Sequence, residues 1–292
     1  MSEQVLTLGL PKGSLQESTL TLFRHAGFNF SASSRGYFPS GDDPELRAVL
    51  LRPQEMPVYV ADGVLDAGLT GLDWITEREV EVVEVTDLVY AKQGFGVYRW
   101  VLAVHESSDI RTPQDLAGKR IATELVQVAR RYLERHGVEA HVEYSFGATE
   151  AKVPDLVDAI IEGTETGRTL RENSLRIVDE LMVSTTKLIA SPAAWQDEWK
   201  RAKLETVALL LNGALAAYQK VGIKMNVHRD QLEAVLAALP ALRKPTISHL
   251  SDQVWHAVET VVDQRAVRDL VPVLRRAGAE GIIEYPLNKV IN

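Results

Sequence analysis

From Val5 onward, short apolar runs alternate with segments whose apolar residues recur at helical spacing, and this alternation narrows the choice of fold more than any other feature. Val5–Leu10 reads as a strand, stopped by Pro11. Ser14–Ala26, with Leu15, Leu20, Leu22 and Phe23, suits an amphipathic helix ended by Gly27. Glu45–Leu51, Asp66–Thr70 and Val80–Val85 read as further strands, separated by the helical stretches Met56–Gly63 and Asp73–Glu79. Strands that alternate with helices in this way predict α/β architecture with largely parallel pairing.

A second α/β unit begins near Gly94–Gly96 with the strong strand Val97–His105, and Ser174–Leu188 returns as a strand at its end. Asp197–Tyr218 is the longest helical stretch and reads as a connector. Beyond it the pattern changes to strand, helix, strand, strand, helix, strand between Gly222 and Val290, the ferredoxin-like order. Small modules of that shape often sense ligands or mediate assembly. A length of 292 residues accommodates these parts as two or three domains.

The net charge of −8 argues against a nucleic-acid partner, which would call for a local basic excess. The absence of cysteine excludes a structural disulfide, a thiolate nucleophile and a cysteine zinc site. Met1–Val5 shows no basic leader, and Val207–Tyr218, the longest apolar-rich run, is too short to span a membrane, so a cytoplasmic protein is expected.

Three stretches could carry chemistry. In Glu162-Gly163-Thr164-Glu165-Thr166-Gly167-Arg168-Thr169, alternating Thr and Gly expose hydroxyls and backbone N–H groups that can surround a phosphate. Glu162 and Glu165 could accept from ribose hydroxyls; the plainer alternative is a polar turn. Lys12-Gly13-Ser14 sits where a strand opens into a helix, a place that favours anions, or it is simply a capped turn with a surface lysine. Arg52 lies at another strand end and could clamp a phosphate, while Asp73 could accept from a hydroxyl or amine; each could equally serve as an ion pair or helix cap. The Gly94–Gly96 pair is too short for a dinucleotide fingerprint, and the histidines lack metal-ligand spacing.

These stretches stand in the order found in one family. Leu10-Pro11-Lys12-Gly13-Ser14-Leu15, Arg52-Pro53-Gln54-Glu55-Met56-Pro57, Asp66-Ala67-Gly68-Leu69-Thr70-Gly71-Leu72-Asp73 and Val157–Ile160 running into Glu165–Leu170 make the chain resemble the long form of ATP phosphoribosyltransferase along its whole length. The resemblance implies a bilobed catalytic core like that of periplasmic binding proteins, followed by a ferredoxin-like (ACT-like) regulatory domain. Lobe I would span 1–96 with 189–212, lobe II 97–188, and the regulatory domain 213–292. It implies transfer of the phosphoribosyl group of phosphoribosyl pyrophosphate to ring nitrogen 1 of ATP, with Mg²⁺, inhibition by histidine, and a homo-oligomer moving between dimer and hexamer. Thr164 to Thr169 would hold the 5′-phosphate, Glu162 and Glu165 would lie near the ribose, Lys12 and Arg52 would face phosphates, and Asp73 would lie near the nucleotide. Ser14 stands where many relatives carry Arg or Ala, which makes Arg35 a candidate replacement cation. Asn226, Thr246 and Ala279 are the candidate histidine contacts. The rival readings are a non-catalytic bilobed receptor for a small anion and a regulatory paralogue of the enzyme.

Overall fold

The computed structural model describes residues 4–33, 36–90, 97–240 and 244–291; Arg35 and the Gly94–Gly96 pair lie outside the described residues. The chain divides into two compact units, one reaching Ala208 and the other formed by Leu209–Asn292 with His25–Gly27.

The first unit is itself built on two sheets. Its opening half comprises β1 (Leu6–Pro11), α1 (Gln16–Ala26), β2 (Phe30–Ser31), β3 (Ser40–Gly41), β4 (Leu46–Leu51), α2 (Met56–Ala61), β5 (Ala67–Gly71), α3 (Leu72–Arg78) and β6 (Val83–Leu88). The second half comprises β7 (Tyr98–His105), β8 (Arg120–Thr123), α4 (Val126–Arg135), β9 (His141–Tyr144), β10 (Ala159–Thr164), α5 (Arg168–Glu172) and β11 (Leu175–Ser184). The chain then returns through β12 (Thr186–Ala190), α6 (Pro192–Gln196) and α7 (Glu198–Tyr218). Strand order is β4-β1-β5-β12-β6 in one sheet and β11-β7-β10-β8-β9 in the other, so the bilobed α/β expectation holds.

Two expectations shift. Ser174–Leu188 is not one strand: β11 ends at Ser184 in one sheet and β12 begins at Thr186 in the other, with Thr185 between them. The pairing is also more mixed than alternation alone suggests. β1 runs parallel to β4 and β5, but β12 lies antiparallel to β5 and β6, because it enters the first sheet from the second lobe.

Both faces of the sheets are covered, which is why their strands read as continuous apolar runs. On β7, Trp100, Leu102 and Val104 pack on one face with Ile121 and Ile161, while Val101 and Ala103 pack on the other with Ala122 and Ile160. In the first sheet, Met56 of α2 lies so close to β1 and β5 that a Cβ on Gly9 would fall 2.1 Å from its Sδ, and one on Gly68 2.6 Å. Glycine is therefore required at these two strand positions by close packing, not by a turn.

The two lobes are tied through α3. Glu77 accepts the N–H groups of Gln127 (2.9 Å) and Val128 (3.0 Å) at the start of α4. Arg131 on α4 reaches back to Glu79 (2.7 Å) and to the carbonyl of Thr76 (2.5 Å).

The second unit contains β13 (Lys220–His228), α8 (Leu232–Ala238), β14 (Thr246–His249), β15 (Trp255–Asp263), α9 (Gln264–Arg276) and β16 (Ala279–Pro286). Its antiparallel sheet has the order β14-β15-β13-β16, the ferredoxin-like arrangement expected from the sequence. Val221, Ile223, Met225 and Val227 alternate along β13 and pack with Val267, Leu270 and Leu274 of α9. No helix among the described residues is long and apolar enough to cross a membrane.

The packing at Gly9 generates a prediction. Gly9→Ala should lower stability by about 1–3 kcal/mol through overpacking. Most of that loss should vanish in a Met56→Ala background, as read by thermal unfolding of both singles and the double variant.

Candidate active site

The carboxyl ends of β1, β4, β5, β8 and β10 open on a cavity of about 350 Å³. Strand ends are where open α/β sheets gather ligands, since loops and helix starts converge there. Lys12 and Ser14 follow β1, Arg52 and Gln54 follow β4, Asp73 and Trp74 follow β5, and Glu124 follows β8. Glu162 and Glu165 come from β10 and the turn after it, and Ser184–Thr186, the crossing between the sheets, completes the wall.

Asp73 is 4% exposed. It does not cap α3, whose N-cap is Gly71, although its Oδ1 accepts the adjacent N–H of Trp74 at 2.9 Å. Its Oδ2 accepts the indole N–H of Trp100 at 2.7 Å, and its own N–H donates to the Ser184 hydroxyl at 3.1 Å. Burial pushes its carboxyl up from the usual carboxylate range, while the bonds from Trp100 and Ser184 pull it back down. The Trp100 ring stands edge-on to Trp74 and Tyr98, with centroids 6.2 and 5.9 Å away, so one wall of the cavity is aromatic. Gly163 makes this wall possible: a Cβ there would lie 2.2 Å from the Tyr98 ring.

Glu162 pairs opposite Val101 on β7. Burial pushes its carboxyl up to about 7; a hydrogen bond from the Thr149 side chain opposes the rise, and the charges of Glu150 and Glu124 add to it. Burial also raises Glu124, and a hydrogen bond from the Gln54 side chain counteracts this. Against these carboxylates stand two cations at the ends of β1 and β4. The Lys12 ammonium lies 3.6 Å over the Tyr37 ring, and the Arg52 guanidinium sits beside Gly13, whose added Cβ would be 3.1 Å from Nη1.

Of the residues singled out in the sequence, the cavity brings together Lys12, Ser14, Arg52, Asp73, Glu162 and Glu165. Gly13, Thr164, Thr166, Gly167, Arg168 and Thr169 do not line it. The Thr164 hydroxyl accepts the N–H of Gly167 at 2.7 Å, and Gly167 takes φ 70°, so the pair closes the turn. Arg168 extends into solvent and pairs with Glu172 at 2.7 Å. Sequence reading passed over Gln54, Tyr98, Trp100, Glu124 and Ser184–Thr186. Glu124 and Gln54 carried a usable signal, since each follows a predicted strand; Tyr98, Trp100 and Ser184–Thr186 become neighbours only through the crossing of the chain between sheets.

In the second unit, Asn226 on β13 pairs opposite Ala257 and Glu280. Thr246 pairs with Glu259, which faces Lys224, so it lies two strands from β13, about 10 Å at the usual strand spacing. Ala279 is buried with the helix-facing side chains, in register with Val227, while Asn226 alternates to the other face. The three candidates are therefore not one cluster.

Trp100→Phe should remove the indole donor and leave the Asp73 carboxylate short of a partner, costing about 1–3 kcal/mol. Because the folded-state carboxyl is already raised, ionisation of Asp73 weighs against the fold at neutral pH and ceases to do so once it is protonated. The gap in melting temperature between the variant and the parent should therefore shrink as the pH is lowered, a trend that a series of thermal melts would show.

Comparison with known proteins agrees with this geometry. Residues 52–213 match the HisG family, described as ATP phosphoribosyltransferase, and residues 217–289 match the HisG C-terminal domain. An ATP phosphoribosyltransferase of Solibacter usitatus is 58% identical over 98% of this chain and 99% of its own. One from Chlorobium luteolum is 58% identical over 100% and 99%. Among solved structures, the ATP phosphoribosyl transferase (HisG:HisZ) complex from Thermotoga maritima aligns with a TM-score of 0.62 and 30% identity, covering 72% of this chain and 98% of that one. Full-length identity at this level decides between the enzyme and the receptor reading, and the chain belongs to the ATP phosphoribosyltransferase family.

Proposed function

We propose that the cavity between the two sheets is where phosphoribosyl pyrophosphate and ATP meet, and that the ferredoxin-like unit confers inhibition by histidine. The observation that carries the site assignment is the convergence of Lys12, Arg52, Asp73, Glu162 and Glu165 on one cavity. Lys12 and Arg52 supply positive charge to phosphates from two neighbouring strand ends. Glu162 and Glu165 accept from the ribose hydroxyls. The turn Thr164–Thr169, shaped by the Thr164–Gly167 bond, presents its remaining backbone N–H groups to the 5′-phosphate. The aromatic wall of Trp74, Tyr98 and Trp100 suits a purine, with Asp73 and Gln54 as acceptors for its amino group.

Ring nitrogen 1 of adenine attacks the anomeric carbon of the ribose, that carbon's bond to the pyrophosphate oxygen breaks, and the leaving oxygen keeps the electron pair. The attacking nitrogen carries no proton that must leave first, so positioning and electrostatics do the work. The donor chemistry fits Mg²⁺. The described residues hold no cluster of three His, Cys, Asp or Glu side chains arranged around a metal, yet hard carboxylate oxygens line the cavity. An ion bound mainly through substrate phosphates needs only one or two protein oxygens, and Glu124 and Glu165 are placed to give them. Bound there, it neutralises charge on the leaving pyrophosphate.

Asn226 on the helix-free face, with the adjoining strand backbone around Ala279, is the proposed contact for histidine; Thr246, two strands away, is left out of it. A dimer that converts to a hexamer, in the cytoplasm, is the assembly and setting this reading carries.

An ultraviolet assay for phosphoribosyl-ATP, run with both substrates and Mg²⁺, tests the whole proposal. Product should form and histidine should suppress it; binding of either substrate without turnover would overturn the catalytic assignment. Thr166→Ala and Gly167→Ala should lower kcat/KM for phosphoribosyl pyrophosphate by about tenfold or more, the effect of losing one charge-assisted contact. Asn226→Ala should weaken inhibition and leave turnover in the absence of histidine intact. Glu162 is needed as the carboxylate, so kcat/KM for phosphoribosyl pyrophosphate should fall as the pH drops below about 7, and Glu162→Gln should lose this acid limb.

A further inference from the structure

Next to Glu162, and outside the lining of the cavity, lies a short chain of polar side chains that the reaction as described does not use. The Lys152 ammonium is 2.6 Å from the Ser145 hydroxyl, which lies 2.8 Å from the Thr149 hydroxyl; the turn that carries Thr149 packs against β10, and the Thr149 side chain acts on the Glu162 carboxyl to lower it. Ser145 is 0% exposed and Thr149 2%. Buried hydroxyls at this density are ordered by the protons they must share.

With Glu162 ionised, and so able only to accept, the order of donation along the chain follows from its two ends. An ammonium can only donate, so the Ser145 oxygen accepts from Lys152. Ser145 then has one proton to give, and the Thr149 oxygen is its neighbour. Thr149 in turn has one proton left, and it goes to Glu162. Every hydroxyl dipole thus points the same way, from the cation to the carboxylate, and successive bonds polarise one another in a dry environment. The segment that carries the chain is anchored independently of Glu162: the Ser145 N–H donates to the carbonyl of Thr123 at 2.9 Å, and Thr149–Lys152 forms a single 3₁₀ turn.

We propose that Lys152, Ser145 and Thr149 are positioning residues for the transferase reaction: a directed hydrogen-bond relay that carries the influence of the Lys152 charge to Glu162, holding its carboxyl ionised and turned toward the substrate ribose. The proposal rests on the reading of Glu162 as a ribose acceptor. Apart from the Gly163 backbone, whose hydrogen bond favours its charge, the other groups facing Glu162 work against it. Glu150, on the same turn as Thr149, and Glu124, after β8, raise it by repulsion, and burial raises it most. Tyr98, packed over Gly163, feels Glu162, Glu124 and Glu165 in the same way; burial, the largest influence, pushes its phenol far up, so it stays neutral and offers no counter-charge. Lys152, reaching Glu162 through two hydroxyls, is the cation in that network.

The test reads Glu162 directly, in the full-length enzyme without substrate, by carbon-13 NMR of labelled glutamate carboxyls, its signal assigned by its loss in Glu162→Gln. The relay favours the ionised form, so breaking it should raise the titration midpoint from about 7. Lys152→Met and Thr149→Val should each move it upward by about one unit, a tenfold change in the ionisation constant, and Thr149→Ser, which restores a hydroxyl, should return it. The acid limb of kcat/KM for phosphoribosyl pyrophosphate should move to higher pH by the same amount. Unmoved midpoints in Lys152→Met and Thr149→Val would overturn the relay, and a shift in Thr149→Val alone would overturn the part assigned to Lys152. A moved midpoint with an unmoved acid limb would uphold the relay and overturn the ribose role of Glu162, so the two readings fail separately.

Discussion

A carboxylate this deep in a protein is stable only if donors surround it, and Asp73 sets that condition for the first unit. Its partners come from both sheets: the Trp100 indole N–H from β7 and the Trp74 N–H in the first turn of α3 donate to the carboxylate, and Ser184 at the end of β11 accepts the Asp73 backbone N–H while its side chain lowers the carboxyl. Moving the sheets apart at this point would strand a buried charge, at a cost of several kcal/mol. The floor of the cavity and the junction of the lobes are therefore the same object. α3 extends the junction outward, through Glu77 at the start of α4 and Glu79 with Arg131, pairs nearer solvent that add less individually.

The electrostatics of the cavity follow from the same economy of space. Asp73, Glu124, Glu162 and Glu165 converge, and among the described residues that line the cavity only Lys12 and Arg52 carry balancing charge. Burial drives three of these acids toward their neutral forms, and each carries a hydrogen bond that restrains it. Such a lining suits a ligand that brings hydroxyls and its own counter-charge, such as a sugar phosphate with a divalent cation, better than a bare polyanion. In the proposed reaction these acids accept from hydroxyls and shape the field, and no general base is required of the protein.

Much of this was legible in the residues. Apolar periodicity located β1, β4 and β5 to within a residue or two, and the six-element order of the tail identified its sheet. The β6 strand lay three residues beyond the stretch Val80–Val85, because Val80 and Val82 resemble strand residues locally while the pairing with β12 selects Val83–Leu88. The break at Thr185 was not legible, since Ser184 and Thr186 both have good strand character and only the departure to a second sheet divides them. In the site, Lys12, Arg52 and Asp73 were found because a strand end has a physical reason to hold ligands, although the same rule was not applied to Glu124 and Gln54. Trp100 and Tyr98 lie at the beginning of a strand, where no such rule applies, and read as ordinary core. In the Thr164–Thr169 turn, composition suggests donors facing a ligand but does not reveal that the Thr164 hydroxyl accepts the Gly167 N–H to shape the turn itself.

The close seat of Met56 on Gly9 and Gly68 has a meaning for how such a chain can vary over descent. The three positions lie on three separate elements, yet a larger residue at either glycine collides with the sulfur, and a smaller one at Met56 leaves a void above both. None can change alone without loss. Their histories are bound together, and in any large set of related chains they should drift as a single site with three addresses.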